Sequence, residues 1–134
     1  MPEITAVNPP TLAIPKSPFS KVVRVKASEF VFVAGMASID KDGKIVVGDI
    51  EVQAAQVFYN IGEALKAAGA GWQNVVQVTT FLRDSDDIAK LGAFRAKNFP
   101  AWFPNGIYPT NTLVIAQRFS HESFRLEVQT VAAL

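Results

Sequence analysis

Residues 110–132 read TNTLVIAQRFSHESFRLEVQTVA, and this stretch decides the fold class. Its apolar and β-branched residues predict two strands, Thr110–Phe119 and Ser123–Ala132, joined by a turn around His121. No helix separates these strands, whereas a doubly wound fold alternates strands with helices. The stretch therefore indicates an α+β domain.

Upstream of this stretch, the sequence predicts two helices and further strands. The predicted strands are Lys21–Lys26, Phe30–Ala34, a short Ile45–Val47 and Asn74–Leu82. The first predicted helix runs from Asp49 to Ala68 and is ended by Gly69 and Gly71. The second is capped by Ser85 and stopped by Pro100. The order is β-β-(β)-α-β-α-β-β, which predicts a five- to six-stranded sheet with both helices on one face. Five of the first twenty residues are proline, which predicts an extended N-terminal arm over 1–18 of a single domain 1–134.

Composition excludes several classes of protein. Apolar residues make up 49% of the chain and charged residues 19%, which is too apolar for disorder and too interrupted by charge for a membrane span. The chain has no cysteine and one histidine, so we expect no disulfide, no thiolate nucleophile, and neither a cysteine nor a multi-histidine metal site. The net charge is +1 and the basic residues are dispersed, so the sequence shows no basic patch of the kind that binds nucleic acid. Since no signal peptide or membrane segment is recognisable, we expect a cytoplasmic protein that binds no membrane.

Several predicted strands are apolar on both faces, which predicts self-association. Phe30–Ala34 has no polar face, and Thr110–Phe119 alternates apolar residues on both sides. Two helices cover one face of a sheet, and the other would remain an exposed apolar patch. We therefore expect a closed homo-oligomer in which sheet packs against sheet.

Polar residues within the last two strands are the candidates for chemistry. Glu127 lies mid-strand, where an acid is disfavoured unless paired or wet, so it is either an exposed or arginine-paired carboxylate or a general acid/base. Asn111 follows the aromatic loop that contains Tyr108, and either bonds local backbone or orients a carbonyl, amide or carboxylate ligand. Gly92, inside the second helix, indicates either close packing on the sheet or room for a ligand.

Several short motifs, taken in order, resemble the Rid (YjgF-type) family. Each motif is weak alone, but their order and spacing over nearly the whole chain from Pro18 are specific. They are Ser17-Pro18-Phe19-Ser20, Phe32-Val33-Ala34-Gly35, Gly48–Gln53, Ala68-Gly69-Ala70, Asn74-Val75-Val76, Thr80–Asp84 and Leu126–Ala132.

The resemblance implies a chorismate-mutase-like α+β subunit that forms a homotrimer with clefts between subunits. It also implies an activity, the hydrolysis of reactive enamines and imines to ammonia and a 2-keto acid, without a metal or cofactor. Within that pattern Glu127 corresponds to the acid, and Gly35 to a backbone turn at the site.

Four positions depart from the pattern of the deaminating members. Asn111 stands where those members carry an arginine that binds the substrate carboxylate. An asparagine carries no charge and cannot form the two parallel hydrogen bonds that an arginine forms with a carboxylate. Phe19 replaces a frequent tyrosine, Leu113 a frequent cysteine and Gly92 a common asparagine. These changes predict a roomier, more apolar and less cationic cleft for a neutral or larger ligand.

Two function hypotheses follow. The first is a divergent deaminase-type hydrolase that acts on a small carbonyl- or imine-bearing metabolite, with Glu127 positioning water and Asn111 holding a carbonyl. The second is a non-catalytic small-molecule-binding or regulatory trimer of the same fold. A ribonuclease is a weaker third reading, because the chain lacks a basic patch.

Overall fold

The computed structural model describes residues 1–134 and confirms the α+β class. It contains six strands and two helices. In chain order these are β1 Glu3–Val7, β2 Val22–Lys26, β3 Phe30–Met36, α1 Ile50–Ala67, β4 Val75–Leu82, α2 Ile88–Trp102, β5 Thr110–Ile115 and β6 Leu126–Ala133.

The strands form two sheets, which corrects the expected single sheet. One has four strands in the order β3-β6-β4-β5, and the other pairs β1 with β2. Only β4 and β5 run parallel. The residues between β2 and β3 do not close a hairpin, because the amides of Ser28 and Glu29 donate to the carbonyl of Leu134 at 2.8 and 3.0 Å. This contact redirects the chain from one sheet into the other.

Part of the predicted N-terminal arm is a strand. Residues Glu3–Val7 form β1, which pairs antiparallel with β2 on one side only. Proline removes a ladder donor and is confined to edges and irregular segments, so Pro9 and Pro10 follow the strand rather than lie within it.

Helix α1 forms as its sequence predicts. The Asp49 side chain accepts a hydrogen bond from the Val52 amide at 3.0 Å, which satisfies one of the free donors of the first turn. Beyond the last turn, Gly69 has a φ of +76°, a conformation that glycine adopts without steric cost.

Helix α2 differs from its prediction at both ends. The residue that caps the entry is Asp84, not Ser85, because its side chain accepts from the Asp86 amide in a short 3-10 turn that precedes α2. Pro100 does not stop the helix, which continues to Trp102. Proline removes only its own N–H, and the last turn is still closed by the Phe103 amide bonded to the Phe99 carbonyl at 2.8 Å.

Three predicted strands change their extent. Ile45–Val47 is not a strand, since Ile45 makes only an isolated bridge to Ile39. The strand that begins at Thr110 ends at Ile115 rather than Phe119, and the last strand begins at Leu126 rather than Ser123. The sheet stops where β4 stops, at Leu82, because β5 and β6 flank that strand and lose their partner there.

The core lies between the helices and one face of the four-stranded sheet. The other face exposes large apolar side chains, with Phe30 53% and Phe32 79% exposed. Neither helix is long and apolar enough to cross a membrane.

Candidate functional site

Glu127 lies on the open face of the four-stranded sheet. Its neighbours Leu126 and Val128 are fully buried against the helices, so the side chain between them points the other way. Glu127 is half-buried, accepts no hydrogen bond from the protein and pairs with no cation. The carboxylate is therefore not held by an arginine of its own chain, which was one of the two interpretations of the sequence.

Gly35 makes room for the Glu127 carboxylate. A Cβ built at position 35 would lie 2.8 Å from Glu127 Oε1 and 3.0 Å from its Cδ. The pairing of β3 with β6 shifts register between Val33 and Met36, so Gly35 sits in an irregularity of the strand. Its φ is not positive, so the close approach of Glu127, rather than backbone conformation, requires glycine here.

A polar cleft of about 700 Å³ borders the Gly35–Glu127 contact. Helix α1 contributes Tyr59, Asn60 and Glu63 to its wall. Asn60 is fixed there, because its Nδ2 donates to the Ile39 carbonyl at 2.8 Å. No group of three histidine, aspartate or glutamate side chains with metal-binding geometry is present.

Asn111 lies on the opposite face of the sheet from Glu127. Its Oδ1 accepts a hydrogen bond from Thr80 Oγ1 at 2.8 Å, and Thr80 is fully buried on the helix side. Glu127, in contrast, is in register with Phe81, which points to the open face. The alternative in which Asn111 only bonds local backbone is wrong, since its partner lies in a different strand.

Phe19 and Tyr108 lie near the start of β5, the strand that carries Asn111. The segment that contains Phe19 is attached to the start of β5 by two hydrogen bonds of Ser20: its hydroxyl donates to the Tyr108 carbonyl at 2.6 Å, and its amide donates to the Pro109 carbonyl at 3.0 Å. The Tyr108 ring packs against Phe103 at 5.8 Å. Backbone contacts therefore place both aromatic residues at the end of the strand that carries Asn111.

Leu113 lies on the helix side of the sheet, and Gly92 lies on α2, the helix that packs on that side. Leu113 is half-buried, in register with Thr80, and packs on the core. A Cβ built at Gly92 would meet no atom within 4 Å. Close packing of α2 on the sheet therefore does not explain this glycine, beside which the helix leaves open space.

Arg95 is a residue of this region that sequence reasoning missed. It is 7% exposed, and its Nη2 donates to Thr80 Oγ1, the same hydroxyl that bonds Asn111. The available signal was its spacing: Leu91, Arg95 and Phe99 recur every four residues and form the buried side of α2.

A second missed pair has a structural role. Asp87 is 1% exposed and accepts two hydrogen bonds from Arg125, at 3.0 and 3.1 Å. The hydrogen bond to Asp87 is the largest cause that raises the pKa of Arg125. Gln53 also fixes this segment, accepting the Arg125 amide at 2.8 Å. Together these contacts hold the start of β6, the strand that carries Glu127.

The predicted site residues thus form two groups within one chain. Glu127 and Gly35 form the first group, on the open face of the sheet. The second group lies on the helix side and at the adjoining strand end, and comprises Phe19, Gly92, Tyr108, Asn111 and Leu113. A single subunit does not bring the two groups together.

The sequence matches one protein family over almost its whole length. The model of that family, described as "Endoribonuclease L-PSP", matches residues 11–134. A RutC family protein of Synechocystis is 33% identical over 122 residues, which is 90% of this chain and 88% of that protein. The 2-iminobutanoate/2-iminopropanoate deaminase of Bos taurus is 34% identical over 88 residues, 65% of this chain and 63% of that protein.

The fold is also that of a solved family member. A crystal structure from Yersinia pestis, described as a protein of unknown function of the conserved Rid protein family, superposes with a TM-score of 0.85. That match covers 98% of both chains at 25% identity. The family match over residues 11–134, the similarity in sequence and this fold agree, and the chain therefore belongs to the Rid (YjgF-type) family.

Proposed function

We propose that this protein is a cofactor-independent deaminase-type hydrolase of small imine- or enamine-bearing metabolites, with its site in a cleft between subunits of a homotrimer. The single observation that carries the proposal is the Glu127 carboxylate, which faces Gly35 beside a cleft without any partner in its own chain. A carboxylate with no protein partner is free to bind water and to accept a proton from it.

The chemistry requires only proton transfers and one added water. Glu127 accepts a proton from water as the water oxygen attacks the imine carbon, and it returns that proton to nitrogen, which gives a tetrahedral carbinolamine. The carboxylate then transfers the hydroxyl proton of the carbinolamine to nitrogen, the C–N bond breaks, and ammonia leaves as the carbonyl forms. One imine and one water thus give one ketone and one ammonia, so no oxidant, reductant or metal is needed.

The division of the site residues into two groups supports an intersubunit cleft. A ligand that touches both Glu127 and Asn111 must reach both faces of one sheet, or it must lie between two copies of the chain. The exposed Phe30 and Phe32 supply an apolar surface that self-association would bury. In the proposed trimer, Glu127 of one copy faces the second group of the next copy.

The names of similar proteins support the reaction class. The Bos taurus relative is named as a 2-iminobutanoate/2-iminopropanoate deaminase. Ribonuclease activity, which the family description names, is less well supported because the 13 basic and 12 acidic residues are interspersed.

A non-catalytic ligand-binding trimer is the alternative function. Asn111 favours it, because an asparagine in the position where the deaminating pattern has arginine removes a charge from the site. In that case Glu127 would contribute to binding and not to turnover.

Ammonia release from freshly generated 2-iminobutanoate and from a panel of neutral imines and enamines tests the proposal. We expect turnover that falls by about 10²-fold or more in Glu127→Gln, since this is the scale of a lost general base. Glu122→Gln, in the exposed turn before β6, is the matched control and should retain full activity. Turnover of no substrate, or turnover that Glu127→Gln leaves intact, would favour the non-catalytic alternative.

A further inference from the structure

Arg95 is a buried cation without a counter-charge. Its side chain lies between Leu91 and Phe99 on the inner side of α2, and no carboxylate oxygen comes within 4.0 Å of its nitrogens. One face of the guanidinium packs on the Phe99 ring, with Cζ 5.7 Å from the ring centroid. Burial lowers the pKa of Arg95 to about 10, so the group remains charged at neutral pH.

Most of the donor capacity of Arg95 is unused. Its Nη2 donates to Thr80 Oγ1, whereas its buried Nε has no hydrogen-bond partner. A guanidinium carries five N–H donors, and buried donors are nearly always satisfied in folded proteins. An unpaired buried donor on an uncompensated cation therefore calls for an acceptor that the chain itself does not supply.

The hydrogen bonds of Thr80 also fix the orientation of Asn111. Arginine only donates, so Thr80 Oγ1 accepts from Arg95 and must direct its own hydrogen elsewhere. That hydrogen goes to Asn111 Oδ1 at 2.8 Å. The amide NH₂ of Asn111 consequently points away from Thr80 and is left as a pair of donors.

The helix side of the sheet thus holds two groups with unpaired donors. Arg95 and the Asn111 amide offer N–H groups without matching acceptors, and Gly92, one turn before Arg95 on α2, has no neighbour within 4 Å of a built Cβ. A ligand group that only accepts hydrogen bonds and carries negative charge complements this arrangement.

We propose that Arg95, together with the Asn111 amide that Thr80 orients, binds the carboxylate of the ligand. The inference rests on the proposed function for the choice of site. Arg95, on α2, supplies the cation that position 111 lacks. The expected ligand is then a small 2-keto or 2-imino acid rather than a neutral molecule. The planar guanidinium matches a carboxylate in two parallel hydrogen bonds, which a lysine does not.

Binding of a non-reactive product analogue tests the inference separately from turnover. Isothermal titration compares 2-oxobutanoate, the keto acid that deamination of 2-iminobutanoate yields, with neutral 2-oxobutanamide. The wild type should prefer the acid by about tenfold or more, and Arg95→Met should abolish that preference. Arg24→Met, which removes an exposed arginine of β2, is the charge-matched control and should keep it. If the wild type prefers the acid but turns over no imine, the proposed function is contradicted and the carboxylate site is still supported.

A purely structural role for Arg95 predicts different results. If Arg95 only attaches α2 to β4, Arg95→Met lowers the midpoint of thermal unfolding and the acid preference persists. If Arg95 is a ligand group, the midpoint is unchanged or higher, because removing an uncompensated buried charge relieves a desolvation penalty.

The Nε–H resonance of Arg95 in the wild type gives a readout that needs no variant. It should shift on addition of 2-oxobutanoate and not of the amide, and an equal response to both ligands overturns the inference.

Discussion

Glu127 and Asn111 lie on opposite faces of the same four-stranded sheet. Glu127 is in register with Phe81 on the open face, and Asn111 bonds Thr80 on the helix side. Within one subunit the sheet therefore separates the two residues. In the proposed intersubunit cleft, a second copy of the chain brings them together.

Gly35→Ala should reduce activity without unfolding the protein. The new Cβ would lie 2.8 Å from Glu127 Oε1, and the flexible end of the glutamate, rather than the backbone, would move. We expect kcat/KM to fall by about tenfold or more because misplacing a catalytic group is costly. The free energy of unfolding, measured in urea, should change by less than about 1 kcal/mol, as at other surface positions. Unchanged kcat/KM would show that the position of the carboxylate is unimportant.

Gly92→Ala should stabilise the protein. The added methyl group meets no atom within 4 Å, and alanine is favoured over glycine inside a helix by about 1 kcal/mol. Urea denaturation should therefore give a higher midpoint with an unchanged slope. A lower midpoint would mean that the space beside Gly92 is filled in the assembled protein.

Asp87→Asn should destabilise the protein. Asp87 is buried and accepts two hydrogen bonds from Arg125, and loss of charge-assisted bonds of this kind typically costs about 2 kcal/mol. The comparison is with Asp86→Asn, which alters an exposed carboxylate one residue earlier. Equal unfolding midpoints for the two variants would argue against a structural role for the Asp87–Arg125 pair.

Phe32→Glu should dissociate the assembly. Phe32 is 79% exposed on the open face of the sheet, where the proposed trimer buries it. A charge there would be desolvated without a partner on association, so light scattering at micromolar concentration should report a monomer. Val52→Glu, at a position on α1 that is 45% exposed and outside the cleft, should remain trimeric. A wild-type protein that is itself monomeric would contradict the intersubunit site.

Local signals predicted the fold class and the clearest elements. Helix α1 follows from the Asp49 cap and the spacing of its apolar residues, both of which act within a few residues of the chain. The error at Thr110–Phe119 occurred where a partner distant in sequence decides the outcome, whereas the error at Pro100 is local. Pro100 stays helical because Phe103 still bonds Phe99, and Thr110–Phe119 shortens because β4 ends at Leu82.

The candidate site was predictable in its members but not in its arrangement. Glu127, Gly35 and Asn111 were identified from the sequence, yet their division between two faces depends on strand register, which no short motif encodes. Arg95 escaped notice because an arginine on a helix is normally exposed. Its burial follows from the packing of α2 on Thr80 and β4.

Complementation between two inactive variants tests the central claim most directly. One variant is Glu127→Gln, and the other is Asn111→Asp, which places a negative charge where the ligand is to bind. If each site takes Glu127 from one copy and Asn111 from another, co-expression at equal amounts should restore about a quarter of wild-type activity, because about one cleft in four then combines both native residues. Mixed assemblies that contain both variants and remain inactive would contradict the account.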